Sequence, residues 1–481
     1  MRVAPDSLGA IHDLVAGNAT DGAAIARAVA ARAGLLRRLG AGPGDRIVIA
    51  HGGSTHFFAD LLGVWQAGAC AACVNAALTP EELANVTRFV EAKLVLIGDN
   101  FRGGEPGARL VDTRSERAAS DESGLAGSLD DPALILFTSG TTGDPKGVVH
   151  TFRSIVARLA LNRLHLPPAT LARTLCVLPT HFGHGLIGNC LTPWLAGHAL
   201  FLYPPTGVAG AAKLGEILEG HRITFMSSVP SFWKIALKSG KPPSVRSLKR
   251  VGIGSAPLAA DLWTKVGEWT GAVSVSNMYG ITETANWIGG ASSAEDQPED
   301  GLIGRLWGGS AAVLGEDGVL RREGEGELLV QTPSLMQGYF RRPDLTEPVL
   351  KGGWFHTGDT GRIDADGTMR LVGRRKDEIN RAGQKVNPAE IDLFLERHPA
   401  VAEACCFGLP DAVSGEVVAA AVRLAEGARE DARSLRGWAG ERLRHELVPE
   451  KWFILPEIPK TDRGKVSRRI VMQACLDSIR K

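Results

Sequence analysis

Between residues 136 and 147 the chain reads Leu136-Phe137-Thr138-Ser139-Gly140-Thr141-Thr142-Gly143-Asp144-Pro145-Lys146-Gly147, with four hydroxyls, three glycines and a lysine following an apolar run. That combination binds anions. Glycines let backbone N–H groups converge on an oxyanion, hydroxyls add short donors, and the lysine supplies a compact positive charge. The spacing is not that of a kinase or GTPase phosphate loop: Pro145 stands where the G-K-[ST] signature needs its glycine, and Gly147 follows the lysine where a hydroxyl belongs. A plain glycine turn is the other reading these residues allow.

The loop resembles the signature phosphate loop of the adenylate-forming superfamily, which includes acyl- and aryl-CoA ligases, nonribosomal-peptide adenylation domains and firefly luciferase. Further motifs of that family follow in order. Tyr279-Gly280-Ile281-Thr282-Glu283-Thr284 is similar to its Y-G-x-T-E segment. The resemblance implies that Tyr279 stacks on adenine, Thr282 bonds the α-phosphate and Glu283 helps hold Mg²⁺: an aromatic plane for a base, a donor for phosphate and a hard oxygen for a hard cation. Gly254-Ser255-Ala256-Pro257 resembles the small-residue stretch along which adenine and acyl group lie, and Asn277 is placed on the nucleotide side. Thr357-Gly358-Asp359 resembles the T-G-D motif, which gives Asp359 the ribose hydroxyls, and Arg374 matches the arginine that contacts ribose and phosphates. Lys376 falls at the hinge position, Gly383 at the glycine lining the pantetheine tunnel, and Lys465, within Pro459-Lys460-Thr461-Asp462-Arg463-Gly464-Lys465, at the lysine that binds carboxylate and α-phosphate. Leu62 to Leu83 also resembles an early family stretch, so the likeness spans nearly the whole chain.

A carboxylate is a poor electrophile, and adenylation supplies the activation a thiol needs. The resemblance implies attack of the acid on the α-phosphorus of Mg·ATP, with Thr138 to Lys146 holding the pyrophosphate, then transfer to the thiol of coenzyme A or of a carrier protein's phosphopantetheine. Lys465, Thr282 and Glu283 are the catalytic candidates. Pro179-Thr180-His181-Phe182-Gly183 falls at the acyl pocket, so His181 and Phe182 are candidates there with Gly254, Asn286 and Trp287. The family's amino-acid activators carry F-D-x-S at this point; Thr180-His181-Phe182-Gly183 disfavours an α-amino acid and suits an aryl or short functionalised acid. A nucleotide-binding homologue without turnover is the reading from another class. The joint presence of Lys146, Thr282, Glu283, Asp359, Arg374 and Lys465 argues against it.

Positioning these residues needs a large framework. The 481 residues suggest more than one domain, and 44% hydrophobic against 22% charged residues gives material for sizeable cores. The net charge of +1, from 54 Lys+Arg and 53 Asp+Glu, provides no global field for nucleic acid or an anionic membrane. Seven scattered Cys imply no disulfide framework, and Cys70 and Cys73, in a small apolar run, read as buried thiols. Met1 to Asp6 opens without a signal-peptide stretch, and the chain reads as cytoplasmic, without membrane insertion; a homodimer is left open. Helical patterns (21–39, 55–67, from 80) alternate with buried strands (46–50, 94–97, 174–178, 199–202, 224–228, 250–254), an α/β arrangement. After about residue 300, short segments joined by Gly and Asp turns read as antiparallel hairpins. One turn, Asp364-Ala365-Asp366-Gly367, mimics a calcium loop but has Arg375 at position 12, where that loop needs Glu. The expected fold is α/β: a large N-terminal part of α/β subdomains plus a β-barrel-like subdomain over 1–373, a hinge at 374–378, and a small mobile α+β domain over 379–481. Glycine is over-represented, with 58 residues, and several sit at motif positions where a ligand must approach backbone.

Overall fold

The computed structural model describes residues 7–99, 101, 103–104, 106–115, 127–138, 146–204, 207–374, 377–381, 384–411, 415–461 and 464–479. The expected Ala-rich helix runs Gly22–Arg38, with Asp21 as N-cap accepting from the Ala24 N–H at 2.6 Å. Pro80–Phe89 opens on a capping box: Thr79 Oγ1 accepts from the Glu82 N–H, and Glu82 accepts from the Thr79 N–H. Arg46–Ile49 and Leu94–Leu96 pair in parallel, and their apolar side chains are buried on both faces, as strands covered by helices require.

These strands belong to a seven-stranded sheet in the order Gly338–Tyr339, Lys146–Thr151, Pro132–Thr138, Cys70–Cys73, Arg46–Ile49, Leu94–Leu96, Arg109–Val111. A fifteen-stranded sheet changes character along its length. Ala199–Leu202, Arg173–Cys176, Phe225–Ser228, Arg250–Gly254 and Ser274–Gly280 are parallel neighbours. From Trp287–Ser292 the pairing turns antiparallel and continues through Leu302–Leu306, Met369–Arg374, Trp354–Ile363 and Gly324–Gln331. The change of texture near residue 300 therefore lies just beyond this switch. The Asp364–Gly367 turn is a hairpin connection whose Asp364 and Asp366 side chains pair with Arg362, Arg370 and Arg305. Cys70 and Cys73 lie in a buried strand, and burial raises both thiols, Cys70 to about 12.

The smaller C-terminal unit is a five-stranded sheet led by the long hairpin Val401–Asp411 and Gly415–Leu424. Its first helix is Pro388–Leu395, where the sequence from Pro388 through Glu396 reads as helical. The sequence also reads as helical up to about Glu446, but the second helix, Ala432–Gly440, ends earlier, and a single 3₁₀ turn, His445–Leu447, follows. The strand Lys451–Ile454 and the helix Arg468–Ile479 were not anticipated; the helix buries Val471 and Cys475. The unit rests on the helix Pro230–Ser239 of the large part. Lys234 Nζ donates to both Glu396 oxygens (2.8 and 2.9 Å), Lys238 pairs with Glu426, and Ser231 Oγ donates to the Gly464 carbonyl at 3.4 Å. Arg397 adds an ion pair to Asp300. Among the described residues, no helix is long and apolar enough to cross a membrane.

Candidate active site

One end of the site is built by strand register. Asp359 and Arg374 stand opposite each other on the antiparallel pair Trp354–Ile363 and Met369–Arg374, and Arg374 Nε lies 2.9 Å from Asp359 Oδ1. The other carboxylate oxygen accepts from the Tyr279 hydroxyl at 2.7 Å. Gly358, at φ +70°, kinks the chain, and Thr357 Oγ1 accepts the Asp359 N–H at 3.0 Å, which turns the carboxylate inward. Burial raises the Asp359 carboxyl above its ordinary value; Arg374 and the Tyr279 hydroxyl oppose that shift without reversing it. Tyr279 and Asp359, far apart in sequence, are thus one unit. Asn277, expected on the nucleotide side, is buried and donates Nδ2 to the Leu302 carbonyl at 2.7 Å, tying two strands of the sheet.

The expected phosphate loop is flanked by the hairpin of Pro132–Thr138 with Lys146–Thr151, in which Thr138 pairs with Lys146. The loop positions Ser139, Gly140, Thr141, Thr142 and Gly143 lie outside the described residues. Lys146 Nζ sits 3.5 Å from the centroid of the Tyr339 ring, a cation–π contact, and the Tyr339 hydroxyl donates to Glu283 Oε1 at 2.7 Å. Sequence reading missed Tyr339. It arrives on Gly338–Tyr339, a two-residue strand paired with Lys146–Thr151 from nearly two hundred residues away, and nothing beside it in sequence announces that pairing. Thr282 and Glu283 belong to the 3₁₀ turn Thr282–Thr284, whose Thr282 carbonyl accepts from buried His150 Nε2 at 2.8 Å. Burial brings His150 down to about 4, so it is a neutral donor at physiological pH. Tyr339→Phe keeps the ring over Lys146 and removes the bond to Glu283. It is expected to raise the KM for Mg·ATP about tenfold, on the scale of one hydrogen bond to a charged group, with the melting temperature little changed. Steady-state kinetics at varied ATP checks this.

Beside the expected acyl-pocket candidates His181 and Phe182 stands a further histidine, His184. His184 begins the π-helical segment His184–Leu191, a geometry frequent at functional sites. Its Nδ1 lies 2.8 Å from Ser255 Oγ and its Nε2 2.7 Å from Ser227 Oγ. Ser227 Oγ donates onward to the Gly252 carbonyl (3.1 Å), so it accepts from Nε2–H and leaves Nδ1 to accept from Ser255. Burial, and secondly the Lys465 ammonium, bring His184 down to about 3, which keeps the ring neutral. Ser255 holds φ +68°, rare for a residue with a side chain, directly after Gly254, where a Cβ would come within 2.6 Å of the Met278 carbonyl. Ala256 beside it is exposed. His181 stacks edge-on against Phe182 at 5.8 Å, and Phe182 against His184 at 6.4 Å. Trp287 closes this wall 5.4 Å from the His184 ring, with Asn286 next to it. Gly280 packs under this turn: a Cβ there would lie 2.3 Å from the Asn286 carbonyl. The hinge candidate Lys376 and the tunnel candidate Gly383 lie outside the described residues.

Comparison with known proteins gives a consistent picture. Residues 17–340 match the family model described as AMP-binding enzyme, and residues 390–465 match the AMP-binding enzyme C-terminal domain. The chain is 31% identical to an oxalate–CoA ligase of Arabidopsis thaliana over 470 residues, 92% of this chain and 91% of the relative. Its structure is similar to that of ATP-bound MatB from Rhodopseudomonas palustris, with TM-score 0.88, 27% identity and coverage of 99% and 97% of the two chains. It is also similar to the o-succinylbenzoate CoA synthetase MenE from Bacillus subtilis in complex with the acyl-adenylate intermediate OSB-AMP, with TM-score 0.85, 25% identity and coverage of 97% and 95%.

Proposed function

This chain belongs to the AMP-binding enzyme family, and on that premise we propose that it activates a carboxylic acid with ATP as an acyl-adenylate and then transfers the acyl group to coenzyme A. The observation that carries the reading is the seating of the small domain on the large part: Ser231 Oγ donates to the carbonyl of Gly464, the residue next to Lys465. In the first half-reaction the acid's carboxylate attacks the α-phosphorus, and pyrophosphate leaves. Lys465 lowers the repulsion between the two anions, Asp359 and Arg374 hold the ribose end, and Lys146 faces the leaving group. Glu283 fits a magnesium ligand: Tyr339 occupies one of its oxygens, and the other makes no hydrogen bond among the described residues. Magnesium, when bound, neutralises charge on the phosphates.

For the second half-reaction we propose that the small domain, residues 379–481, turns about a hinge at 374–378 that contains Lys376. This would withdraw Lys465 and bring Gly383 to the channel for the thiol. The contacts of Lys234 with Glu396 and of Lys238 with Glu426 have to break in that turn. Lys234→Ala is accordingly expected to slow acyl-adenylate formation by about three- to tenfold, the scale of one partly buried ion pair, and to leave thioester formation from supplied acyl-adenylate undiminished. Separate assay of the two half-reactions checks it. The proposed function itself is tested by ATP–pyrophosphate exchange over a panel of carboxylic acids, followed by addition of coenzyme A. Acid-dependent exchange and a CoA thioester are expected, and exchange with none of the acids would refute it.

A further inference from the structure

We infer that Arg158 is a positioning residue of the reaction: it fixes Glu283 for magnesium by fastening together the two segments that hold this carboxylate. The inference rests on the magnesium role proposed for Glu283 above. Arg158 lies in the helix Phe152–His165, and its side chain is completely buried. Its Nη1 donates to the Trp287 carbonyl (2.6 Å), its Nη2 to Thr332 Oγ1 (3.1 Å) and Ser334 Oγ (2.9 Å), and its Nε to Ser334 Oγ (3.1 Å). Ser334 Oγ in turn donates to the Thr284 carbonyl at 3.1 Å. One planar fork thus ties together three stretches of chain that are far apart in sequence. Every acceptor is neutral, and no carboxylate pairs with Arg158 among the described residues. The guanidinium therefore works through the fixed directions of its donors and not as half of an ion pair.

Both segments fastened in this way lead to Glu283. On one side, the held carbonyls of Thr284 and Trp287 bracket the residues that follow Glu283 directly. Inside the bracket Ala285 is buried and holds φ +69°, a conformation that residues with a side chain rarely adopt. Such a turn persists only where its surroundings over-determine it. The Ala285 N–H donates to the Thr282 carbonyl at 3.0 Å, and the Ala285 carbonyl packs on Gly183, where a Cβ would come within 2.4 Å of it. Arg158 and Ser334 supply the restraints on either side. On the other side, the stretch that begins with Thr332 and Ser334 continues to Met336, whose N–H donates to the Glu283 carbonyl at 2.8 Å, and to Tyr339, whose hydroxyl donates to Glu283 Oε1 at 2.7 Å. The backbone of Glu283 and one of its carboxylate oxygens are thus held by segments that Arg158 joins. Outer partners of this kind orient a metal ligand, and losing one typically lowers metal affinity about ten- to a hundredfold.

The test is calorimetric titration of the full chain with ATP in the absence of any acid, once with magnesium and once with EDTA. The ratio of the two dissociation constants reads the magnesium-dependent part of binding without turnover. Arg158→Gln and Arg158→Lys are both expected to weaken binding with magnesium about tenfold and to leave binding in EDTA within about twofold of the parent. Lysine keeps the charge but cannot serve both edges of the fork, so a parent-like ratio in Arg158→Lys would show that charge alone matters and overturn the inference. Equal weakening with and without magnesium would assign Arg158 to the triphosphate or to the fold at large, and an unchanged ratio in both variants would leave it no positioning role; either result overturns the inference while magnesium binding at Glu283 stands. A parent whose ATP binding ignores magnesium, or a Glu283→Gln variant that keeps the parent's ratio, would instead refute the magnesium role of Glu283 and the inference with it. Should both Arg158 variants fail to fold, as judged by thermal melting, Ser334→Ala decides. It removes the bond to the Thr284 carbonyl, leaves Arg158 the Trp287 and Thr332 acceptors, and is expected to lower the ratio about threefold, the scale of one hydrogen bond; an unchanged ratio would overturn the inference.

Discussion

Lys465→Ala is expected to reduce acyl-adenylate formation by roughly two orders of magnitude or more, the scale of losing one preorganised charge-stabilising group. Thioester formation from supplied acyl-adenylate should survive within a few fold. The asymmetry follows from position. Lys465 reaches the acyl end only through the docked small domain, whose Gly464 meets Ser231 and whose Glu396 meets Lys234. In the first half-reaction two anions must approach each other there, and a cation lowers that barrier. In the second, the attacked group is a mixed anhydride, already a good electrophile, and the lysine has moved away. Equal loss of both half-reactions would contradict the two-state assignment.

Asp359→Asn separates function from stability. The carboxylate is buried, and burial outweighs Arg374 and Tyr279 in raising its pKa. The sign then follows: a carboxyl with a raised native pKa binds its proton more tightly in the folded protein. Ionised Asp359 therefore costs stability at neutral pH, and that cost disappears below the ordinary carboxylate range. The neutral amide removes the cost but loses the charge facing Arg374, whose side chain is 48% exposed, so water softens that loss. A melting temperature within a few degrees of the parent is expected. Over the same substitution kcat/KM for ATP should fall by roughly a hundredfold, since two ribose hydroxyls exchange a charged acceptor for a neutral one at a loss of about 1–1.5 kcal/mol each. Calorimetry together with kinetics at varied ATP reads both. A large drop in melting temperature with matching loss of activity would show instead that Asp359 serves the fold.

The features legible in sequence were those set by neighbours along the chain. The capping box at Thr79 and Glu82 is encoded within four residues, and the strand Leu94–Leu96 by its unbroken apolar run. The order of the motifs carried the family, and with it the two-domain plan. The features that escaped depend on distant packing. His181 and His184 stand in one short segment, and only the π-helical turn and the serines at 227 and 255 show that the His184 ring is held at both nitrogens. Tyr339 comes beside Lys146 and Glu283 through a two-residue strand pairing. Arg158 lies in the helix Phe152–His165, whose pattern gives no sign that this arginine turns inward to hold Trp287.

The most direct test of the whole account is the fate of oxygen in the acid. With an acid labelled with oxygen-18 in both carboxylate oxygens, a full turnover with ATP and coenzyme A should give AMP carrying one labelled oxygen and a thioester carrying the other, because a carboxylate oxygen forms the bond to the α-phosphorus and leaves with it. Unlabelled AMP, or label found in inorganic phosphate, would mean that the acid is not activated as an acyl-adenylate and would contradict the mechanism.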